Sequence, residues 1–319
     1  MTANSTVAYA APGGFYNDHL VLADIIFVGV IGIPLNILII SVIKYKPFIK
    51  NKSSQTHLLY LTFADFLNCF NFLFFNLPFI IYPEEYINKF VPDACAIDNV
   101  IFVFNLFHTT YMVVVITADR VINAFTVNFA RKFNQVYIAH TIGISVFIFS
   151  IIISIPSFYI SRYYLSTVIY KEKLLTGWRC YRSDAKVATF ISIVFGYCVP
   201  LAIISSGNIL IVFRLRYRAQ MALKKFGKAI NKEDLRVTIT LVSCCVAMVA
   251  VYIPFFFFQL RNYFWSKEQN ARFWADELNY QLWYLALGLR NVNSLLNFFI
   301  YIVTNQNFRT SLLQLFCKN

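Results

Sequence analysis

The chain has 319 residues, of which 59% are hydrophobic and only 13% are charged. Ordinary globular domains carry about 25% charged residues, so this composition excludes a soluble domain and indicates a membrane protein. The net charge is +13, but the basic residues lie in short segments between apolar stretches, which argues against binding to nucleic acid.

Seven apolar stretches reach the length of about 20 residues that a transmembrane helix needs. They cover residues 20–43, 57–82, 96–117, 136–160, 187–213, 237–260 and 279–304. The sequence therefore predicts an all-α membrane protein, a bundle of seven transmembrane helices over residues 20–304. Residues 1–19 are predicted to form a polar outer tail. Residues 305–319 are predicted to form a short amphipathic eighth helix on the membrane surface and a short tail.

The basic residues indicate how the chain is oriented. If the N-terminus lies outside, the inner segments carry 17 basic residues against three acidic ones. Because cytoplasmic loops collect lysine and arginine, we expect an extracellular N-terminus. Asn4 begins an Asn-Ser-Thr tripeptide in the outer tail and is a candidate N-glycosylation site, although such tripeptides also occur by chance.

Several polar side chains fall inside the apolar stretches, where lipid offers no hydrogen bonds. They are Asn36, Asp65, Asn105, Thr109, Asn293, Ser294 and Asn297. Asp65 is the carboxylate nearest mid-span depth, and there it must pair, bind a cation or take up a proton. Two interpretations stay open. One is a sodium site headed by Asp65, with oxygen ligands from Asn105, Thr109, Asn293, Ser294 and Asn297. The other is a hydrogen-bond network around a protonated Asp65.

A charged pair, Asp119-Arg120, lies at the inner end of the third stretch. Ionisable residues in such positions are candidates for function. Asp119 is placed to hold Arg120 from the side, and Asp234 lies at the inner start of the sixth stretch. An ion pair between Arg120 and Asp234 would join the third and sixth helices. Alternatively, Asp234 only stabilises the N-terminus of its own helix.

The chain contains seven cysteines. Cys95 and Cys180 fall in outer segments, in an oxidising compartment where disulfides persist, and we expect them to pair. Cys317 follows the amphipathic stretch near the inner surface, where it is either a palmitoylation site or a free thiol. The remaining four lie inside spans and are expected to be small apolar packing residues.

Five short motifs resemble those of the rhodopsin-like (class A) G-protein-coupled receptors. They are residues 32–36 (Gly-Ile-Pro-Leu-Asn), 61–65 (Leu-Thr-Phe-Ala-Asp), 117–120 (Thr-Ala-Asp-Arg), 293–301 (Asn-Ser-Leu-Leu-Asn-Phe-Phe-Ile-Tyr) and 308–309 (Phe-Arg). The resemblance covers about residues 20–317. It implies a receptor of the plasma membrane, not an enzyme, with a ligand pocket open to the outside and a heterotrimeric G protein as its inner partner.

The resemblance also implies roles for single residues. Arg120 would contact the tail of the G protein in the active state, Tyr301 would rotate inward, and Asp65 would head a sodium site, with sodium as an allosteric ion and no other cofactor. The residues assigned to the switch at the G-protein face are Asp119, Arg120, Asp234, Asn297 and Tyr301.

Some positions depart from the family pattern. The fourth span has Gly143 in the region where a tryptophan is usual, and the sixth has Tyr252 where a tryptophan precedes the proline. The fifth span has Asn208 instead of a tyrosine, and Phe298 replaces the proline of the last motif. These changes favour a divergent invertebrate receptor, similar to neuropeptide receptors or to nematode serpentine chemoreceptors.

The residues near the outer end bear on the ligand. Phe102 stands where amine receptors carry an aspartate, and Asn291 stands where opsins carry the lysine that binds retinal, so both ligand classes are disfavoured. The residues predicted to line the pocket are Phe102, Phe104, His108, Tyr252, Phe255, Gln259, Arg261, Trp283 and Arg290. Alternatively, most of these rings face lipid or neighbouring helices.

The chemistry of this predicted pocket suggests a class of ligand. Arg261 and Arg290 are expected near the outer mouth, where they are able to hold a carboxylate. Aromatic walls with charges at the rim favour a small neuropeptide over a small odorant.

Two other classes of protein fit less well. A transporter or channel is disfavoured because the sequence shows no internal repeat and little buried charge besides Asp65. A membrane enzyme is disfavoured because His57, His108 and His140 fall in different spans and have no metal-ligand spacing.

Overall fold

The structure, a computed structural model, describes residues 22–49, 51–81, 91–170, 173–182, 186–226, 232–265, 269 and 277–317. At several helix ends and from residue 159 to 182 it describes the backbone only. This part of the chain contains seven helices long and apolar enough to cross a membrane, as predicted. We number them span 1 to span 7. We call the end at which span 5 ends and span 6 begins the inner end.

The spans have the following bounds. Span 1 is Leu22–Tyr45, span 2 is Lys52–Ile81, span 3 is Val91–Phe125 and span 4 is Val136–Ile160. Span 5 consists of Lys186–Ile191, Ser192–Cys198 and Val199–Phe226, span 6 is Lys232–Phe264 and span 7 is Glu277–Thr304. Spans 3, 5 and 6 extend beyond the predicted apolar stretches, because hydropathy marks only the part of a helix that lies in hydrocarbon.

A β-hairpin connects spans 4 and 5. Strand β1 (Ser161–Tyr170) pairs antiparallel with strand β2 (Lys173–Arg182), with Tyr163 opposite Cys180. Both strands contact span 3. The β-branched and aromatic residues of this segment, which lies between the fourth and fifth apolar stretches, favour strands.

Span 3 lies at the centre of the bundle. In its most apolar window 67% of the residues are buried, against 22% in spans 4 and 6. It contacts spans 2, 4 and 5, and its residues Leu106, Phe107 and Met112 are fully buried. Groups on span 3 can therefore be reached from most of the other helices.

Two prolines follow π-helical turns. Pro34 comes after the π segment Ile25–Ile31, and Pro200 comes after the π segment Ser192–Cys198. A proline cannot donate the backbone hydrogen bond to the residue four positions earlier. For both prolines that residue lies in the π segment, whose wider turn accommodates the missing bond.

Spans 2 and 4 approach each other closely at Gly143. A Cβ atom added to Gly143 would lie 2.5 Å from Cδ2 of Tyr60 in span 2. The hydroxyl group of Tyr60 is 3.3 Å from Nδ1 of His140, in the same span as Gly143. The glycine–tyrosine contact therefore fills the region where the family usually has a tryptophan.

We expect Gly143→Ala to destabilise the protein by about 1–3 kcal/mol, because the added methyl group overpacks the contact with Tyr60. The melting temperature of the purified protein in detergent is the measurement. In the Tyr60→Ala background the same substitution should cost little, since the opposing ring is gone. An unchanged melting temperature for Gly143→Ala alone would show that the two spans are not tightly packed here.

A groove of about 610 Å³ opens between the inner halves of spans 5 and 6. Its walls are mainly apolar, and its polar members are Ser205, Asn208 and Arg216. Asn208 stands where the family usually has a tyrosine that bonds towards span 7. Because asparagine is much shorter, it lines this groove beside Cys245 instead.

The predicted eighth helix is present as Gln306–Phe316. Its N-cap is Asn305, whose side chain accepts a hydrogen bond from the backbone of Phe308 at 3.1 Å. Phe308 is fully buried, and Arg309 donates to the carbonyl groups of Ile302 and Val303 at the end of span 7. Cys317, the predicted palmitoylation site, follows this helix and is exposed.

Candidate functional site

Asp119 lies at the inner end of span 3 and is fully buried. Ser54 of span 2 donates a hydrogen bond to its Oδ2 at 2.8 Å, and Asn123 donates to its Oδ1 at 3.1 Å. Nε of Arg120 is 3.8 Å from Oδ2, and the Arg120 side chain is 17% exposed. The carboxylate is thus fixed by two neutral donors, while the guanidinium beside it reaches the inner surface.

A pair of asparagines connects this site to the next loop. Nδ2 of Asn134 donates to Oδ1 of Asn123 at 2.6 Å, and Nδ2 of Asn123 also donates to the carbonyl of Asp119 at 2.7 Å. Asn134 follows a short helix, Val127–Phe133, that comes directly after span 3. The sequence analysis missed this link, although Asn123 lies four residues after Asp119 and therefore on the same helix face.

Span 5 is joined to the inner end of span 3 by two arginines. Arg214 and Arg218 both donate to the carbonyl oxygen of Ala124, at 3.2 and 2.6 Å. The guanidinium of Arg214 also lies 5.3 Å from the ring centre of Phe125. Cations are favoured at a helix C-terminus, where carbonyl groups lack intrahelical partners.

The side chain of Asp234 lies outside the described residues. Its backbone is in the first turn of span 6, which begins at Lys232. That position suits both an ion pair with Arg120 and stabilisation of the helix N-terminus, so both interpretations remain predictions.

Spans 2 and 7 are joined at mid-depth by two polar contacts one helical turn apart. Nδ2 of Asn297 donates to Oδ2 of Asp65 at 2.8 Å, and Nδ2 of Asn68 donates to Oγ of Ser294 at 2.9 Å. Span 3 joins this network through Asn105, whose Nδ2 donates to Oδ1 of Asn68 at 3.2 Å. Asp65 is fully buried, which agrees with its predicted place inside the second apolar stretch.

Asn36 adds span 1 to the same region. Its Nδ2 donates to the carbonyl oxygens of Gly32 and Ser294, both at 2.9 Å. The helices come close because Gly32 has no side chain: a Cβ atom there would lie 2.6 Å from Sγ of Cys69. Four spans therefore meet around Asp65.

The predicted sodium ligands are not all in this network. Thr109 and Asn293 are buried, but no hydrogen bond joins their side chains to Asp65 within the described part of the chain. Oδ1 of Asp65 is buried and has no hydrogen-bond partner among the described residues. An unpartnered carboxylate oxygen suits both a cation ligand and a protonated carboxyl group, so the two interpretations remain open.

Tyr301 lies on the inner side of this network. Its ring packs against Phe48 and Phe308, with ring centres 5.6 and 5.5 Å apart. Its hydroxyl group is buried and interacts with the thiol group of Cys244 in span 6. A cavity of about 20 Å³, lined by Asn293, Asn297 and Tyr301 among others, is large enough for one water molecule.

Towards the outer end, aromatic rings surround Arg290. The carbon atom at the centre of its guanidinium is 3.8 Å from the ring centre of Phe102 and 5.4 Å from that of Phe255. Arg290 is only 4% exposed, and its predicted place near the outer mouth stays a prediction. Tyr252 is buried within electrostatic reach of the same guanidinium and packs against Tyr197 of span 5.

Other predicted pocket residues point elsewhere. The rings of Phe104 and His108 pack against Phe147 of span 4, with ring centres 5.3 and 5.8 Å away. They follow the alternative that these rings face a neighbouring helix, and the proposed pocket does not include them. Arg261 lies over the rings of Phe258, in the same helix, and of Trp265, directly after it.

Two further predicted pocket residues lie on spans 6 and 7 and are partly exposed. They are Gln259 of span 6 and Trp283 of span 7.

Two further predictions rest on side chains or residues that the structure does not describe. The side chains of Cys95 and Cys180 are not described, so their disulfide stays a prediction. The hairpin strand that carries Cys180 does contact span 3, which carries Cys95. The tail that contains Asn4 is not described either.

The bundle, the charged pair at its inner end and the aromatic cluster around Arg290 define a seven-helix membrane protein. The family model for the seven-transmembrane receptors of the rhodopsin family matches residues 35–301. Since this match covers most of the chain, the protein belongs to the rhodopsin family of seven-transmembrane receptors. This confirms the resemblance drawn from the five motifs.

Proposed function

We propose that this receptor binds an extracellular ligand among the outer halves of spans 3, 6 and 7 and activates a heterotrimeric G protein at its inner end. Membership of the rhodopsin family supports both kinds of partner in general terms. The distribution of basic residues supports an extracellular N-terminus and a cytoplasmic inner end, and the receptor is proposed to lie in the plasma membrane.

The observation that carries this proposal is the arrangement of Asp119 and Arg120. The carboxylate is fully buried and already accepts hydrogen bonds from Ser54 and Asn123, while Arg120 remains partly exposed beside it. The 3.8 Å separation is long for an ion pair, so Asp119 contributes only a weak direct contact to the guanidinium. A partner that offers carbonyl oxygens or a carboxylate can therefore compete with Asp119 for Arg120 without unfolding the helix.

Polar groups at three depths support a route from the ligand to this pair. Tyr252 lies against the outer cluster around Arg290, Asp65 and Asn297 lie at mid-depth, and Tyr301 lies next to the cavity on their inner side. We infer that ligand binding shifts span 6 at Tyr252 and that Tyr301 responds.

The proposed ligand is a small neuropeptide. Phe102 and Phe255 provide aromatic surface beside Arg290, whose charge an uncharged odorant cannot pair with. A small odorant is the alternative, since aromatic walls also bind apolar molecules.

The proposed function is tested in cells that express the receptor with a promiscuous G protein. A panel of short peptides, with free and amidated C-termini, is compared with volatile odorants. Responses to peptides are expected, and responses to odorants alone would contradict the peptide assignment. Absence of any nucleotide exchange above that of mock-transfected cells, with the receptor at the surface, would contradict G-protein coupling.

Replacement of Asp234 by alanine is expected to raise basal signalling several-fold, because the proposed ion pair with Arg120 would be lost. Basal nucleotide exchange at equal surface expression is the measurement. Glu233→Ala, one position earlier in the same helix turn, is the matched control for the loss of a negative charge. Equal effects of both substitutions would favour the interpretation that Asp234 only stabilises the helix N-terminus.

A further inference from the structure

Arg290 has most of its hydrogen-bonding capacity unused. Arginine offers five N–H groups. Nη2 lies 3.5 Å from the carbonyl oxygen of Phe102, which is at the limit of a hydrogen bond. The hydroxyl group of Tyr252 is a second, neutral hydrogen-bond partner of the guanidinium. Nε and Nη1 are buried and have no partner among the described residues.

The surroundings of Arg290 supply little negative charge. No carboxylate oxygen of the described residues lies within 4.0 Å of its nitrogen atoms. Asp98, four residues before Phe102 in span 3, acts on Arg290 only at longer range and accepts a hydrogen bond from Asn71 at 3.2 Å. The faces of Phe102 and Phe255 attract the cation but cannot accept its N–H groups as a carboxylate does.

Such a buried cation is costly unless an anion completes its surroundings. The position supports a role in ligand binding, because Arg290 lies three helical turns outward of Tyr301 and contacts residues of spans 3 and 6. A residue kept only for packing would not need a charge here.

We propose that Arg290 binds a carboxylate group of the ligand, with Phe102 and Phe255 packed against the apolar or aromatic group next to that carboxylate. This inference rests on the proposed function, since it assumes that the outer half of the bundle holds the ligand. A planar guanidinium binds a carboxylate through two parallel hydrogen bonds, which gives strength and direction. The carboxylate comes either from the free C-terminus of a peptide or from a small organic acid.

The inference predicts discrimination between an acid and its amide. An amide would bring a neutral group to Arg290 and leave the charge unpaired, whereas hydrogen bonds to charged groups are much stronger than neutral ones. We expect the acid form of a ligand to bind about tenfold to a hundredfold more tightly than the amide form. A free C-terminus is therefore favoured over an amidated one.

The test uses the purified full-length receptor in lipid nanodiscs and two matched pairs of probes. One pair is phenylacetate and phenylacetamide, and the other is the N-acetylated dipeptide of tyrosine and phenylalanine with a free or an amidated C-terminus. Binding is measured from the rise in melting temperature with probe concentration. Each acid that binds should act at a concentration at least about tenfold below that of its amide. Binding of the dipeptide acid alone identifies a peptide C-terminus, and binding of phenylacetate alone identifies an organic acid.

Variants separate ligand binding from a structural role. Arg290→Met should remove the preference for acids and leave the melting temperature without probe unchanged or raised, because the apolar chain fits between the two rings. Arg290→Lys should retain part of the preference. Arg261→Met is the matched control and should retain all of it, since Arg261 already contacts Asn262 and two neighbouring rings. Equal affinity of acids and amides for the unmodified receptor overturns the inference, even if every variant fails to fold.

A failure of this inference can be distinguished from a failure of the proposed function. Acids that bind through Arg290 without stimulating any G protein leave the inference standing and contradict the proposed function. Activation of a G protein by an amidated peptide, equal in Arg290→Met and in the unmodified receptor, supports the proposed function and overturns the inference.

Discussion

Replacement of Arg120 by alanine is expected to abolish G-protein activation, with a loss of at least about a hundredfold in receptor-stimulated nucleotide exchange. The Arg120 guanidinium lies beside the Asp119 carboxylate at the inner end, where we propose that the G protein binds. Alanine removes this positive charge. Delivery to the cell surface should not change. Arg120 is partly exposed, and Asp119 keeps its hydrogen bonds to Ser54 and Asn123 without it.

The experiment needs a control for the loss of a basic residue at the inner end. Arg131 is exposed in the short helix that follows span 3, so Arg131→Ala removes the same charge without touching Asp119. We expect a much smaller loss for this variant. Full signalling by Arg120→Ala at normal surface expression would show that Arg120 is not needed for G-protein activation.

The transmembrane architecture could be predicted from the sequence because lipid imposes one strong rule. Backbone groups in hydrocarbon must bond within their own segment, so a long apolar stretch becomes a helix. The hairpin of residues 161–182 was not predicted, because outside the membrane this rule does not apply. Strands there depend on pairing and on contact with span 3, and these appear only in the folded molecule.

The polar network was predictable in part. An isolated carboxylate inside an apolar stretch signals a cluster, and Asp65 does contact Asn297 as that argument requires. Asn68 was overlooked, although it lies three residues after Asp65 on the same face of span 2 and links Ser294 to Asn105. The spacing of polar residues within one helix would have found it.

The outer pocket was the least predictable part, because a central helix is apolar on every side. Span 3 gives little sign of which residues face span 4 and which face spans 6 and 7. The structure separates them: Phe104 and His108 face Phe147, whereas Phe102 faces Phe255 and Arg290. The burial of Arg290 was not predicted either, since charged side chains are usually exposed.

Sodium is expected to lower agonist affinity about tenfold relative to potassium at equal ionic strength, and Asp65→Asn is expected to remove this difference. The reason is the Oδ1 atom of Asp65, a buried carboxylate oxygen without a partner among the described residues, which is suited to a small hard cation. A cation held there would tie span 2 to span 7 and so favour the inactive arrangement. The agonist is the one found in the ligand screen, and its affinity is measured on membranes.

The same measurement decides between the two interpretations of Asp65. If the carboxyl group is protonated and only takes part in hydrogen bonds, affinity should be equal in sodium and potassium, and Asp65→Asn should change little, because an amide replaces the acid at nearly the same volume. Asn71→Ala is the control in span 2: Asn71 contacts Asp98 rather than Asp65, so the sodium effect should persist. A sodium effect that persists in Asp65→Asn would show that the ion binds at another site.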